Sequence, residues 1–540
     1  MKTKLLNALS AIVLLLMPNV IFAQPNLGTA SKYVFFTSIG AVGNTGISQI
    51  TGDVGSNNGS STGFGNVNGN MTNNSGTTAT CAADVLAAYN QLNGTTATIF
   101  LAPALGSGQV LNPGVHSIPS AATLSQTLTL DAKGNANGVF IIKIQAPFST
   151  STNSKVKLIN GAQACNVFWK VEGLVSMAAG TTMRGTIIAN NSAIQMSAGD
   201  TLEGRALSTS GAITVNGVMA FTPVGCGSAL LTGPVGPALN STACYAVFST
   251  NGAVTNSGVS YLTGDVGTNV GLTTGFQAIN VTGAVHPIAD ASTAACAADL
   301  GTVYTYLNTL TADIELLYPA QFGRNLVLTP HTYIMKAATV LTDTVYLNGR
   351  GNANAVFVIQ INGALSTSTY SKVILTNGTQ SKNVYWKVDG AVSINDYSIF
   401  RGTVICNNGA INFKTGVTLD GRALTTKGTF TTAAINVVAT AIPSNCGTTG
   451  VNSLEADENE SVSIYPNPFN TSITITMNDL SQLNKTEVRI FDILGSQVAS
   501  KAIAERSTTL ETGNLPSGTY IYQVISNNVT IQAGRLISAK

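Results

Sequence analysis

Residues 167–216 read VFWKVEGLVSMAAGTTMRGTIIANNSAIQMSAGDTLEGRALSTSGAITVN, and this stretch decides the fold. Apolar residues return every 19 positions, at Trp169, Ile188 and Leu207. The units divide into short runs separated by Gly or Asn turns: VFWKV, LVSMA and TTM, then GTIIA, AIQMS and DTL, then GRALS and AITVN. Side chains alternating with a period of two mark strands with one buried face. Three such strands per unit, repeated at fixed spacing, make one coil of a β-solenoid, in which stacked coils pair their strands and bury an inner column of side chains.

Outward from this stretch, the same text occurs twice. ITGDVGSNNGSSTGF around Asp53 returns as LTGDVGTNVGLTTGF around Asp265, an offset of 212. GNANGVFIIKI from Gly134 returns as GNANAVFVIQI from Gly351, NVFWKVEG as NVYWKVDG, and LEGRALSTSG as LDGRALTTKG, all at an offset of 217. Trp386, Ile405 and Leu424 carry the 19-residue period in the second copy. Copy 1 is placed at residues 27–226 and copy 2 at 242–446, with the Gly- and Pro-rich residues 227–241 as a linker. One segment of each copy breaks the strand pattern. Leu300, Val303, Tyr304, Leu307 and Leu310 form a helical stripe, as do Val85, Tyr89 and Leu92. Each amphipathic helix is expected to lie along its solenoid, on the strands holding Phe168, Trp169, Ile187 and Ile188. Residues 447–461 turn polar and acidic and read as a second linker; 462–540 form a small domain of strands such as SITITM, EVRIFDI and TYIYQVI.

Composition narrows the function. A chain of 540 residues exceeds one core. Charged residues make up only 9% and Gly numbers 54, so a turn-rich all-β chain must cover its surface with hydroxyls and amides. A net charge of +2 offers no footprint for nucleic acid or an anionic membrane. Lys2 and Lys4, the apolar run through Leu14 to Met17, Pro18 and Ile21-Phe22-Ala23 read as a secretory signal, residues 1–23, cleaved before Gln24. Seven cysteines in a secreted chain suggest disulfides with one thiol left over. Cys81 matches Cys296 between copies and Cys226 matches Cys446, so Cys81–Cys226 and Cys296–Cys446 are the expected pairs. Cys165, Cys244 and Cys406 have no counterparts, and at least one of them is expected as a buried thiol.

The order TGDVG, amphipathic helix, LNPGVHS, GNANGVF, VFWKV and EGRAL, present in both copies over roughly three quarters of the chain, resembles the ice-binding (DUF3494) family. The resemblance implies a discontinuous right-handed β-helix with a flanking α-helix and a flat face that binds ice crystals. YPNPFN at 465–470, IFDILGSQV at 490–498 and LPSGTYIYQV at 515–524 resemble the type A sorting domain of the type IX secretion system of Bacteroidetes. That resemblance implies Sec export, passage across the outer membrane by the type IX machinery, and release or attachment at the cell surface. The whole is therefore expected to be mainly β: two β-solenoids, each with one flanking helix, and a C-terminal β-sandwich, acting as a monomer.

Ice presents a regular array of oxygens without charge, so its binder needs a flat, rigid, weakly hydrated array rather than a pocket. In the middle strand of each coil Val175, Met177, Ile194, Met196, Ile213 and Val215 should point inward. The outward candidates are Ser176, Gln195 and Thr214, flanked by Ala193 and Ala212; in copy 2 they are Ser393, Asn412 and Thr431, flanked by Ala410 and Thr429. Lys414 and Lys427 bring charge near the copy 2 array, which favours copy 1 as the binder. The plain alternative is that short residues merely suit a pleated solvent face.

Two rivals remain. An enzyme would need paired acid and base groups in a groove. The acids shared by both copies read instead as turn residues (Asp53, Asp265), first-turn helix residues (Asp84, Asp299) and partners of the arginines two positions on (Glu203 with Arg205, Asp420 with Arg422). His116, opposite Tyr333 of copy 2, reads as structural. No cofactor is expected, nor a metal, since no Cys or His cluster has ligand spacing. The other rival is a surface adhesin or matrix protein of the same fold without ice affinity.

Overall fold

The structure, a computed structural model, describes residues 24–226, 230–444, 446, 462–477, 485–492, 495–527 and 529–539. The expected signal segment and the linker at 447–461 lie outside them. Each copy is a three-sided solenoid of parallel strands. In copy 1 an 8-stranded sheet forms one side, and a 14-stranded sheet forms the other two because strands such as Thr182–Asn190 and Thr201–Ser208 bend around a corner. Copy 2 repeats this with sheets of 8 and 15 strands. The three sides are called here the open face (the 8-stranded sheet), the helix face and the third face.

The bend depends on glycine. Gly204 stacks on Gly185, and a Cβ at Gly204 would run into the Gly185 carbonyl; Gly421 on Gly402 repeats the contact. The glycine of EGRAL and DGRAL is thus a corner that admits no side chain.

Inside copy 1 the six inward residues of the middle strands are all at most 3% exposed. Trp169 stacks on Phe148 at 5.5 Å in the same core. Burial of each large apolar side chain is worth about 1.5–3 kcal/mol, so the inner column is the main stabiliser. The 19-residue period needs one correction. Ile188 pairs with Leu207, but Trp169 pairs with Ile187, because its coil is one residue shorter; Trp386 likewise pairs with Val404. Trp169 therefore points into the core, while Ile188 and Leu207 point to the helix.

Chain order and stacking order differ. Tyr33–Thr37 pairs with the C-terminal strand Thr201–Ser208, so the N-terminal coils stack on the last coil and the chain must travel back to begin at Ile99–Phe100. Helix α1 (Gly76–Gly94) makes that return, and α2 (Ala291–Thr309) does so in copy 2. Nineteen residues at a rise of about 1.5 Å span about 28 Å, roughly six coils at about 4.8 Å each. Capping boxes start both helices, Ser75 with Thr78 and Asp290 with Thr293. Cys81, Val85, Ala88 and Leu92 of α1 pack on Phe168, Ile188 and Leu207, the expected docking side; Leu300, Val303 and Leu307 of α2 pack on Ile405 and Leu424.

The disulfide expectation is overturned. Cys165 bonds to Cys226, while Cys81 and Cys296 are free thiols buried under α1 and α2, and Cys406 is free and buried as well. Cys244 and Cys446 are also disulfide-bonded. Cys81 and Cys296 belong to the apolar helix stripe, where a thiol packs as a small hydrophobe, so their match between copies reflects packing and not bonding. Nor does the segment between the copies hang free: Asn352 Nδ2 donates to the Leu231 carbonyl (3.1 Å), the Val356 N–H to Thr232 O (2.8 Å) and Tyr306 Oη to Val235 O (2.8 Å).

The C-terminal unit is antiparallel. A sheet of Val462–Tyr465, Ser472–Met477 and Ser507–Glu511 and a sheet of Gln497–Ile503, Thr486–Phe491, Gly518–Ser526 and Val529–Ser538 enclose Ile473, Ile475, Met477, Val488, Ile490, Val524 and Leu536. Within YPNPFN, Phe469 is buried in this core and Asn467 bonds to the backbone of Arg535 and Ile537.

Candidate functional site: the open faces

On the open face of copy 1, in stacking order, the outward residues are Ala104, Thr123, Ser149, Ser176, Gln195, Thr214, Gly43 and Thr62, each paired to the next across the sheet. On copy 2 they are Val340, Ser366, Ser393, Asn412, Thr431, Thr255 and Thr274. All are exposed or half-buried, and their strand neighbours are buried, apart from the half-buried Ser61 and Asn256 of the N-terminal coils. The six expected outward residues thus stand in two single files, 4.8 Å or so apart from coil to coil. Ala193, Ala212, Ala410 and Thr429 sit one position ahead of the strands, and their carbonyls accept from Val175, Ile194, Val392 and Ile411, which continues the ladder to the rim.

Sequence reasoning missed the outer members of both files. Thr123, Ser149 and Ser366 lie on coils before the 19-residue period begins; Thr62, Thr255 and Thr274 lie on the N-terminal coils, which only the folded chain places beyond Thr214 and Thr431. The signal for the first group was present as alternation in Ala122–Ser125 and Phe148–Thr150. Thr62 and Thr274 lie on the early coils, around Thr51–Asn70 and Thr263–Thr282, that the sequence marks as extending the face while their irregular spacing leaves the outward residues unchosen.

Charge segregates by face. Among the described residues, no strand of either 8-stranded sheet holds a charged side chain. The third face carries Lys155, Lys157, Arg184, Glu203, Lys372, Arg401 and Asp420. Lys414 and Lys427 are exposed just outside the copy 2 strands. In copy 1 two hydroxyl pairs bridge neighbouring coils, Thr123 with Ser149 at 3.0 Å and Ser125 with Ser151 at 2.8 Å.

The shared acids fasten the fold. Asp84 and Asp299 lie within their helices and not in the first turn; Asp84 accepts from Thr29 N (2.7 Å) and Oγ1 (2.6 Å), Asp299 from the Ser241 N–H and hydroxyl, so each ties the chain's entry turn to its helix. Asp53 accepts the Asn70 N–H and Asp265 the Ala284 N–H of the next coil. Glu203 pairs with Arg184 and Asp420 with Arg401, each one coil away, instead of with the arginine two positions on. Arg205 and Arg422 are buried and donate to the carbonyls of Ser31 and Ala243. The register explains this: the stacked strand brings Arg184 beside Glu203, while the glycine corner turns Arg205 away.

An acid–base cluster does recur under each helix. Tyr89 donates to Glu172 (2.6 Å), which also accepts from Asn190 and pairs with Lys170; Tyr304, Asp389 and Lys387 repeat it. Burial and then Glu172 push the Tyr89 phenol up to about 12. Lys170 is 1% exposed and lies over the Tyr89 ring, while the Glu172 side chain is 28% exposed, so the pairs brace the strand against the helix at its solvent edge. His116 is buried with Nε2 on the Asn112 carbonyl, and burial lowers its pKa.

A family model described as ice-binding-like matches residues 36–219 and 248–438, and one described as a secretion system C-terminal sorting domain matches 463–538. The crystal structure of an ice binding protein from an Antarctic bacterium of the Flavobacteriaceae is 59% identical, with a TM-score of 0.75, over 77% of this chain and 98% of that one. An ice-binding protein of Nostoc sp. (strain HG1) is 36% identical over 169 residues, 31% of this chain and 62% of its own length. An ice-binding protein of Flavobacterium frigoris (strain PS1) is 30% identical over 202 residues, 34% of this chain and 70% of its own length. The match thus spans less than two thirds of the Nostoc protein. With both solenoids covered by the family model, the chain belongs to the ice-binding-like family and carries a C-terminal sorting domain.

Proposed function

We propose that this protein adsorbs to ice through its open faces and thereby slows ice growth and recrystallisation. The observation that carries this reading is the pair of uncharged open faces, each a single file of small hydroxyl, amide and methyl groups on a rigid parallel sheet. Charged groups hold their hydration water strongly; a face without them can surrender its water to an ice-like layer, and short side chains keep it flat. The site includes Ser176, Gln195, Thr214, Ala193 and Ala212 of copy 1, and Ser393, Asn412, Thr431, Ala410 and Thr429 of copy 2. Copy 1 carries the larger share, because Lys414 and Lys427 border the copy 2 file. The chain works as a monomer, leaves the cell by a Sec signal cleaved after Ala23, and reaches the medium or the outer cell surface through the type IX machinery that reads residues 462–540.

The test is thermal hysteresis and ice recrystallisation inhibition of the mature chain beside a variant with Ser176→Tyr, Thr214→Tyr, Ser393→Tyr and Thr431→Tyr. Loss of activity in a still-folded variant is the expected result. Retained activity would move the site to another face, and an inactive parent at micromolar concentration would leave an adhesin of the same fold.

A further inference from the structure

We propose that the two open faces act as one ice-docking surface, because three asparagines of copy 1 lock the solenoids end to end in rotational register. The proposal rests on the ice-binding reading above and adds to it what joins the two sites.

The lock is built from alternate residues of NVNGN at 66–70. Asn66 donates its Nδ2 to the Tyr318 carbonyl (2.8 Å) and accepts the Tyr318 N–H (2.9 Å). Asn70 donates to the Asp313 carbonyl (3.1 Å) and accepts the Glu315 N–H (3.4 Å). Each side-chain amide thus imitates a strand's backbone pairing, capping the exposed edge of the first copy 2 coil. Between them Asn68, 3% exposed, donates to Thr329 Oγ1 (2.9 Å) and accepts from Tyr333 Oη (2.7 Å). Buried amides keep their partners, since leaving one unpaired forfeits the hydration it gave up on burial.

These contacts align each side with its equivalent. Asn70 and Glu315 belong to the helix faces; Gln49–Thr51 packs on Leu326–Leu328, third face on third face. Gly63 and Phe64, which follow the last open-face strand of copy 1, line one small cleft with Gly323 of the first open-face strand of copy 2. The described residues from Gln24 to Pro443 accordingly form one compact unit. Two 8-stranded sheets stacked this way present a face about 70 Å long at about 4.8 Å per strand.

The second copy supplies the contrast. Thr51 bridges to Asn68 and Thr263 pairs with Thr282, so the positions of Asn66, Asn68 and Asn70 are held there by Asn280, Thr282 and Ala284. The full set stands only on the coil that meets another solenoid. A preset junction removes the ordering cost that a flexible linker would add when both faces dock.

The experiment measures thermal hysteresis and small-angle scattering on the full mature chain and on Asn66→Ala, Asn68→Ala, Asn70→Ala combined. A second variant, Asn66→Ala with Asn70→Ala, leaves the buried amide in place in case the first misfolds. The expected result is two folded solenoids, a larger radius of gyration, and a several-fold loss of activity, down to the level of a chain whose copy 2 face is blocked by Ser393→Tyr and Thr431→Tyr. Parental activity in both folded clamp variants would overturn the single surface while leaving ice binding intact. An inactive parent would overturn the ice-binding reading and this proposal together.

Discussion

Copy 1 joins Cys165 to Cys226, whereas copy 2 has Lys382 in place of Cys165 and carries its disulfide-bonded cysteines elsewhere, at Cys244 and Cys446. Copy 1 buries Asp200 at a corner of its coil, where copy 2 buries Val417. Copy 2 starts its helix with Asp290 and its partner His286; copy 1 starts its own with Ser75 and has Thr72 in the register position of His286. A buried inward file, the glycine corner and the helix stripe recur in both, although Thr432 stands inward where copy 1 has Val215. Whatever makes a coil recurs between the copies, because every coil must stack on its neighbours. What fastens a coil's ends is local and free to differ.

The largest effect should come from the copy 1 disulfide. Closing a separation of 61 residues is worth roughly 4 kcal/mol in the chain-entropy model. Cys165→Ser is therefore expected to lower the unfolding midpoint by several degrees and to speed hydrogen exchange in residues 155–226. Cys296→Ser, which removes only a buried thiol from copy 2, should cost far less. Equal losses from the two would mean that the Cys165–Cys226 bridge stabilises copy 1 no more than a buried thiol stabilises copy 2.

This contrast also marks what the sequence could disclose. Motifs shared by Asp53 and Asp265, or Gly204 and Gly421, reported the coil, and alternation placed Ser176, Thr214, Ser393 and Thr431 outward. The same logic misled for Cys81 and Cys296, since a match between copies cannot tell a packed thiol from a bonded one. Spacing along one strand likewise suggested Glu203 with Arg205, although the partner arrives from the neighbouring coil. The N-terminal coils around Thr51–Asn70 and Thr263–Thr282 were legible as extensions of the face, but their outward residues were not, because their neighbours are set by a chain reversal through α1 and α2. Asn66, Asn68 and Asn70 were illegible for a related reason: their partners lie about 250 residues away.

Asp200 should give the next effect. Burial raises its pKa from 3.8 to about 6, even though the N–H groups of Thr181, Ser197 and Gly180 oppose the shift. A carboxyl that holds its proton more tightly when folded makes stability fall as pH rises from about 4 to about 6, with no further change above. At 1.36 kcal/mol per pKa unit this is on the order of 3 kcal/mol. Melting curves of the parent should descend across that window, and Asp200→Asn should flatten them. Val417→Ile at the equivalent corner of copy 2 should leave the slope as it is, and an unchanged slope in Asp200→Asn would assign the window to another acid.

The smallest effect belongs to His286, and it lies in a different window. Burial lowers its pKa, but the charge of Asp265, 3.8 Å from Nε2, and the hydrogen bond and charge of Asp290 at Nδ1 outweigh that, and the net direction is upward. Asp290 is shifted the other way: burial raises it, while bonds to Thr293 and His286 bring it down. The protonated imidazole thus stabilises the start of α2. Its contribution is complete below the ordinary histidine value of about 6.5 and is lost as pH rises through the higher folded value. Asp290 sets the lower edge, since its own contribution disappears only as pH falls through its depressed value. Between pH 6 and 9, exchange at residues 291–296 should therefore quicken, beyond its intrinsic pH dependence, in the parent and not in His286→Thr, with a midpoint shift below about 4 °C. Residues 76–81 of α1, capped by the uncharged Ser75 and Thr78, should show no such excess. A pH response shared by both helices would place its origin in the common coil framework instead of in the pair that only copy 2 carries.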